Sequence, residues 1–153
     1  MTDSLFNVTT ESAEETESVG ARLAADMVAT DSSLPRFVAL YGDLGSGKTA
    51  FVRGYTSVIA PKAAVRSPTF TIVNEYRGGC IPVFHFDMYR ITGEDDLYSI
   101  GFDDYVDSGI CLSKWSENIE FALPDEYIRV DISRIADDEN APRRIIDAKI
   151  IRN

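Results

Sequence analysis

Residues 5–9 alternate apolar and polar side chains over a short span, the period of an edge strand. The period then becomes helical across residues 13–29, where Val19, Leu23 and Met27 recur at i, i+4 and i+8. Ser12, Ala13, Glu14 and Glu15 open this helix with capping-box spacing, and the acidic pair falls in the first turn, where a helix dipole favours it. Phe37–Tyr41 is a continuous apolar run and predicts a buried strand. Over residues 48–59, Phe51, Tyr55, Val58 and Ile59 share one helical face. Residues 70–76 alternate, Gly78 and Gly79 signal a hairpin, and residues 81–86 form its return strand. The acidic stretch 94–106 is interleaved with Leu97, Ile100, Phe102 and Tyr105, which predicts a short helix and loop pinned to the core with the charges on a solvated face. A short buried strand follows at 109–112. Residues 127–133 and 144–151 alternate as two last strands, antiparallel around the polar connection at 136–143. Strands and helices interspersed in this way over 153 residues predict one α/β domain, residues 1–153, with a mixed central sheet flanked by helices.

The strand at 37–41 runs straight into Gly42, Asp43, Leu44, Gly45, Ser46, Gly47, Lys48 and Thr49, which satisfies G-x-x-x-x-G-K-[ST] at every fixed position. Glycines let the backbone turn tightly and aim its N–H groups inward, the Lys48 ammonium reaches the β- and γ-phosphates, and the Thr49 hydroxyl suits a Mg²⁺ ion. The helix that follows presents its N-terminal dipole to the phosphates. The fold class is therefore P-loop NTPase-like, and the site is a cage for a triphosphate.

Charge and composition narrow the partners. With 44% hydrophobic and 26% charged residues the chain has the balance of a soluble globular protein, and no apolar run approaches the roughly 20 residues that cross a bilayer. The N-terminus lacks the layout of a signal peptide, so a cytoplasmic protein without membrane attachment is expected. A formal charge of −10 argues against direct binding to a nucleic-acid backbone and leaves any role near RNA to partners. Cys80 and Cys111 are too few and too far apart for a zinc set, and read as small hydrophobic residues.

Other candidate residues gather around the loop motif. Residues 61–68 form a loop one helix length beyond it, in which Ser67 and Thr69 flank Pro68. They read either as hydroxyls ordered by a γ-phosphate or its metal, or as an ordinary Ser-Pro turn. Asp87 follows an apolar β-run, the place where phosphate-loop proteins set a metal-supporting carboxylate. His85, the only histidine, shares a strand face with Asp87 and is either its hydrogen-bond partner or a structural residue. Lys114, Trp115, Ser116 and Glu117 lie just past a strand end, where ligand sites of α/β sheets collect. Arg66 and Arg90 are candidate arginine fingers, with salt bridging as their other role.

Five blocks occur in fixed order across residues 12–117: the loop motif with Phe51 close behind; Ser67-Pro68-Thr69-Phe70-Thr71 leading to Asn74-Glu75-Tyr76; His85-Phe86-Asp87-Met88-Tyr89-Arg90; Gly101; and Trp115. On these blocks the sequence resembles the TsaE (YjeE) family, the small bacterial ATPase of the machinery that makes threonylcarbamoyladenosine (t6A) in tRNA. The resemblance implies ATP and Mg²⁺ as cofactors, slow intrinsic hydrolysis, and action through TsaD-like and TsaB-like partners that perform the transfer, with tRNA contacted only indirectly. By position, residues 44–49 would wrap the phosphates. Lys48 and Asp87 would be catalytic, Thr49 and Asp87 would hold the metal, Ser67 and Thr69 would sense nucleotide, and Thr10 and Ser12 would lie near the adenine.

One position departs. The family usually has Glu before the tryptophan as a metal-site carboxylate, and Lys114 stands there. Three accounts are open: Glu117 supplies the metal carboxylate from a rearranged turn, Lys114 contacts the γ-phosphate, or the chain binds ATP and turns it over poorly. A Mg²⁺-dependent ATPase is the leading expectation, with an ATP-dependent binding switch or a small-molecule kinase as alternatives. A kinase is disfavoured by the lack of an arginine-rich lid segment, and a GTPase by the lack of an Asn-Lys-x-Asp motif.

Overall fold

Seven strands join in one sheet in the order β1-β7-β6-β2-β5-β4-β3. They are β1 (Thr2–Thr10), β2 (Phe37–Tyr41), β3 (Val73–Tyr76), β4 (Val83–Asp87), β5 (Ile110–Lys114), β6 (Glu126–Arg134) and β7 (Arg144–Arg152). Helices α1 (Ala13–Val28), α2 (Lys48–Ile59), α3 (Glu94–Ser99) and α4 (Phe102–Ser108), with a 3₁₀ helix at Ser116–Ala122, connect them. The computed structural model describes residues 2–42, 47–63, 65, 72–79, 81–135 and 143–153.

The four middle strands, β6, β2, β5 and β4, are parallel, and β3, β7 and β1 are added antiparallel at the two edges. Side chains of β2 divide between two cores, as a strand buried on both faces requires. Val38 and Leu40 face the α1–α2 layer with Leu23, Phe51 and Tyr55. Phe37, Ala39 and Tyr41 face the opposite layer, with Phe84, Phe86, Leu97 and Phe102. Among the described residues no helix is long and apolar enough to cross a membrane.

Ser12 caps α1 by accepting from Glu15 N at 3.1 Å. The reciprocal bond of the capping box lands one residue early, from Glu11 N to Glu15 Oε2 at 2.6 Å. Strand β1 is longer than its alternation predicts. A register shift between Ser4 and Phe6 lets the adjacent Leu5 and Phe6 both pack on one core, which strict period two forbids. In α2 the buried face is Phe51, Val52, Tyr55 and Ile59, while Val58 is 39% exposed, because α2 is flanked by α1 as well as by the sheet. The 94–106 stretch forms two short helices rather than a helix and a loop. Gly101, at φ 73, makes the break between them. Strand β5 extends to Lys114, so that residue ends the strand instead of lying past it.

Candidate phosphate-binding site

Strand β2 lies in the middle of the parallel set, and the chain leaves it at Tyr41 through Gly42, at φ 143. It enters α2 through Gly47, at φ 109, a conformation closed to side chains with a Cβ. Asp43, Leu44, Gly45 and Ser46 lie outside the described residues, as do Arg66, Ser67 and Thr69. Lys48 opens the helix and is 6% exposed. Its ammonium donates back across the loop to the Gly42 carbonyl and stands 5.1 Å from the centre of the Trp115 ring. Trp115 is at φ 58, the only non-glycine residue of positive φ among those described, so a sparsely populated backbone conformation brings the indole over Lys48.

The parallel register of β4 and β5 pairs Asp87 with Lys114 at the same end of the sheet. Period two aligns Lys114 with Ile110 and Leu112, whose side chains face the α1–α2 layer. Its ammonium donates to Thr49 Oγ1 at 3.0 Å. Burial lowers the Lys114 pKa, the Asp87 carboxylate opposes that shift, and the charge of Lys48 adds to it. The segment after β4 is tied down nearby. Tyr89 N donates to Asp87 Oδ1 at 3.1 Å, Met88 N to the Lys114 carbonyl at 3.1 Å, and Asn118 Nδ2 to the Met88 carbonyl at 2.9 Å. The Tyr89 ring lies 5.1 Å from that of Trp115.

Gly42, Gly47, Lys48, Thr49, Asp87, Lys114 and Trp115 thus converge at the C-terminal edge of the parallel strands. Glu117 is exposed in the first turn of the 3₁₀ helix, two residues past Trp115. As arranged, the oxygen set of Thr49, Asp87 and Glu117 does not fit a Mg²⁺ ion, which requires oxygen ligands in near-octahedral array. A buried ammonium already holds the Thr49 hydroxyl, in the place where the ion would need an oxygen ligand.

Thr10 is buried and shares a hydrogen bond with Thr16 at 2.8 Å, joining β1 to α1, while Ser12 serves as the α1 cap. Thr10 pairs in register with Arg144, whose side chain runs alongside Gly47, within 3.7 Å of where a Cβ there would stand. Arg144 is a residue beside Gly47 that sequence reasoning did not single out. It reads locally as the start of a strand, and only the β1–β7–β6 arrangement carries it to the loop. His85 does not pair with Asp87. Its Nδ1 meets the Tyr76 hydroxyl at 3.2 Å and its Nε2 is buried without a partner. Burial first, and the Lys114 charge second, lower its pKa to about 3, so the ring is neutral.

A central parallel strand, a glycine-flanked loop and a helix opening on Lys48-Thr49 define an α/β protein of P-loop NTPase-like fold. The chain belongs to the TsaE family: the family described as Threonylcarbamoyl adenosine biosynthesis protein TsaE matches residues 10–145. The tRNA threonylcarbamoyladenosine biosynthesis protein TsaE of Bacillus subtilis is 39% identical over 127 residues, which span 82% of this chain and 76% of that protein. Its namesake in Haemophilus influenzae is 36% identical over 122 residues, 79% of this chain and 77% of that one. The crystal structure of YdiB from Bacillus subtilis aligns with a TM-score of 0.72 and 32% identity, covering 99% of this chain and 88% of that chain.

Proposed function

We propose that this chain binds ATP at the loop between β2 and α2, hydrolyses it slowly, and supports t6A formation in tRNA through TsaD-like and TsaB-like partners. The observation that carries this reading is the Lys48 ammonium, held at the first turn of a 12-residue helix and folded back onto the Gly42 carbonyl at the mouth of the glycine loop. Helix N–H groups, the helix dipole and a desolvated ammonium act together on an anion there. Phosphoryl transfer to water asks the protein mainly to position phosphates and neutralise developing charge. Lys48 supplies charge, the α2 N-terminus supplies N–H donors, and Asp87 favours the charged form of Lys114. Family membership and the formal charge of −10 support the reading of an accessory subunit whose partners hold the nucleic acid.

Isothermal titration with ATP tests the assignment. Lys48→Ala loses a charge-assisted bond worth about 1.5–3 kcal/mol, so affinity falls roughly 10- to 100-fold. Unchanged binding by Lys48→Ala overturns it. A second reading, an ATP-dependent binding switch with little hydrolysis, is favoured by the bond from Lys114 to Thr49. It predicts ATP-dependent capture of the TsaD-like and TsaB-like proteins with turnover at background in their presence. Steady-state hydrolysis by the three proteins together separates the two readings.

A further inference from the structure

We propose that the Lys114 ammonium takes the place of a divalent cation at the Thr49 hydroxyl, so that this chain binds the nucleotide triphosphate without needing a metal ion. The inference rests on the ATP-binding reading above and extends it to the identity of the counter-charge.

In a phosphate loop the hydroxyl that follows the lysine presents a lone pair to a cation, which in turn neutralises the β- and γ-phosphate oxygens. Here the cation at that hydroxyl is part of the chain. Lys114 Nζ lies 3.0 Å from Thr49 Oγ1, and the residue is 6% exposed. The position is built rather than incidental. Lys114 ends a strand bonded on both sides, to β2 through Ala39↔Ser113 and to β4 through Asp87↔Lys114, so its Cβ is fixed relative to both neighbouring strands. Asp87, across the strand pair, supplies the negative charge that favours the ammonium form. A divalent ion brought to the same hydroxyl would have to displace Lys114 and then stand beside both Lys114 and Lys48, with the Asp87 carboxylate shared among them. Charge favours the resident ammonium. Lysine is suited to the role because it offers three donors on a compact charge, able to hold the hydroxyl and phosphate oxygens together.

The test is calorimetric titration of ATP into the full chain, once with Mg²⁺ and once with excess EDTA, for the parent, Lys114→Met and Lys114→Glu. Thermal unfolding first checks that each variant folds, and Lys114→Met keeps the length and apolar stem of the side chain. The parent binds in EDTA within about twofold of its affinity in Mg²⁺. Lys114→Met loses about tenfold or more in EDTA. Lys114→Glu also fails in EDTA and recovers binding when Mg²⁺ is added. A parent affinity that drops tenfold or more on removing the metal overturns the proposal, as does a folded Lys114→Met that binds in EDTA like the parent. If the parent binds ATP in neither buffer, the nucleotide reading itself falls and this inference falls with it.

Discussion

Helices α1 and α2 cross at two glycines, and Gly54→Ala probes that crossing directly. A Cβ built on Gly54 would stand 1.8 Å from the Glu17 carbonyl oxygen and 2.6 Å from its Cα, and one on Gly20 would stand 2.2 Å from the Phe51 carbonyl oxygen. An ordinary carbon–oxygen contact needs about 3.3 Å, so the helices would have to part by roughly 1.5 Å at Gly54. The atoms met are backbone, and no rotamer relieves them. Overpacking of this kind costs about 1–3 kcal/mol. Against it stands the helix-propensity gain of about 1 kcal/mol from replacing an interior glycine by alanine. With the clash at the upper end, the net loss is about 2 kcal/mol, or roughly 4–8 °C in Tm for a chain of this size. Thermal unfolding followed by circular dichroism reads it. Gly93→Ser serves as control, since nothing lies within 4 Å of a Cβ there and the backbone is extended at the α3 N-cap; it should stay within about 0.5 kcal/mol of the parent. If Gly54→Ala unfolds at or above the parent temperature, propensity governs this position and the close helix crossing is not what the glycine serves. Because α2 carries Lys48 and Thr49 in its first turn, the displaced helix should also weaken the proposed ATP binding.

Two further perturbations address stability away from the loop. Ser12→Ala removes the bond from Glu15 N to the α1 cap and should lower stability by about 1 kcal/mol in urea unfolding; an unchanged midpoint would show that the cap contributes nothing. His85 stays neutral in the folded chain down to about pH 3, whereas the unfolded chain takes up its proton near the ordinary value of 6.5. Its stabilising contribution is therefore complete above pH 6.5 and is lost as pH falls through that window, with a slope approaching about 1.4 kcal/mol per unit. Urea midpoints at pH 6.5 and 5 should converge in His85→Gln, and a pH slope identical to that of the parent would refute the assignment.

What the amino-acid sequence determined by itself is local. Gly42 and Gly47 take positive φ because no other residue does so at little cost, and Ser12 caps α1 because its acceptor lies three residues before the N–H it serves. The bounds of β2 and the opening of α2 on Lys48 follow from apolar runs and periods that neighbouring residues complete. Family membership was legible for the same reason, since its blocks are short and contiguous. The tertiary structure decided what depends on partners far along the chain. Strand order is one such matter, because period two states which face a residue takes and not which strand lies beside it. The bulge that turns both Leu5 and Phe6 inward is set by pairing with β7, and the approach of α1 to α2 at Gly20 and Gly54 by the fit of two backbones. Arg144 reaches the phosphate loop only through the β6–β7–β1 meander. Lys114 is the clearest case. Its presence before Trp115 was visible as a charge in an unusual place, but its destination required the β4–β5 register and the N-terminus of α2, 65 residues earlier in the chain, to meet at one hydroxyl.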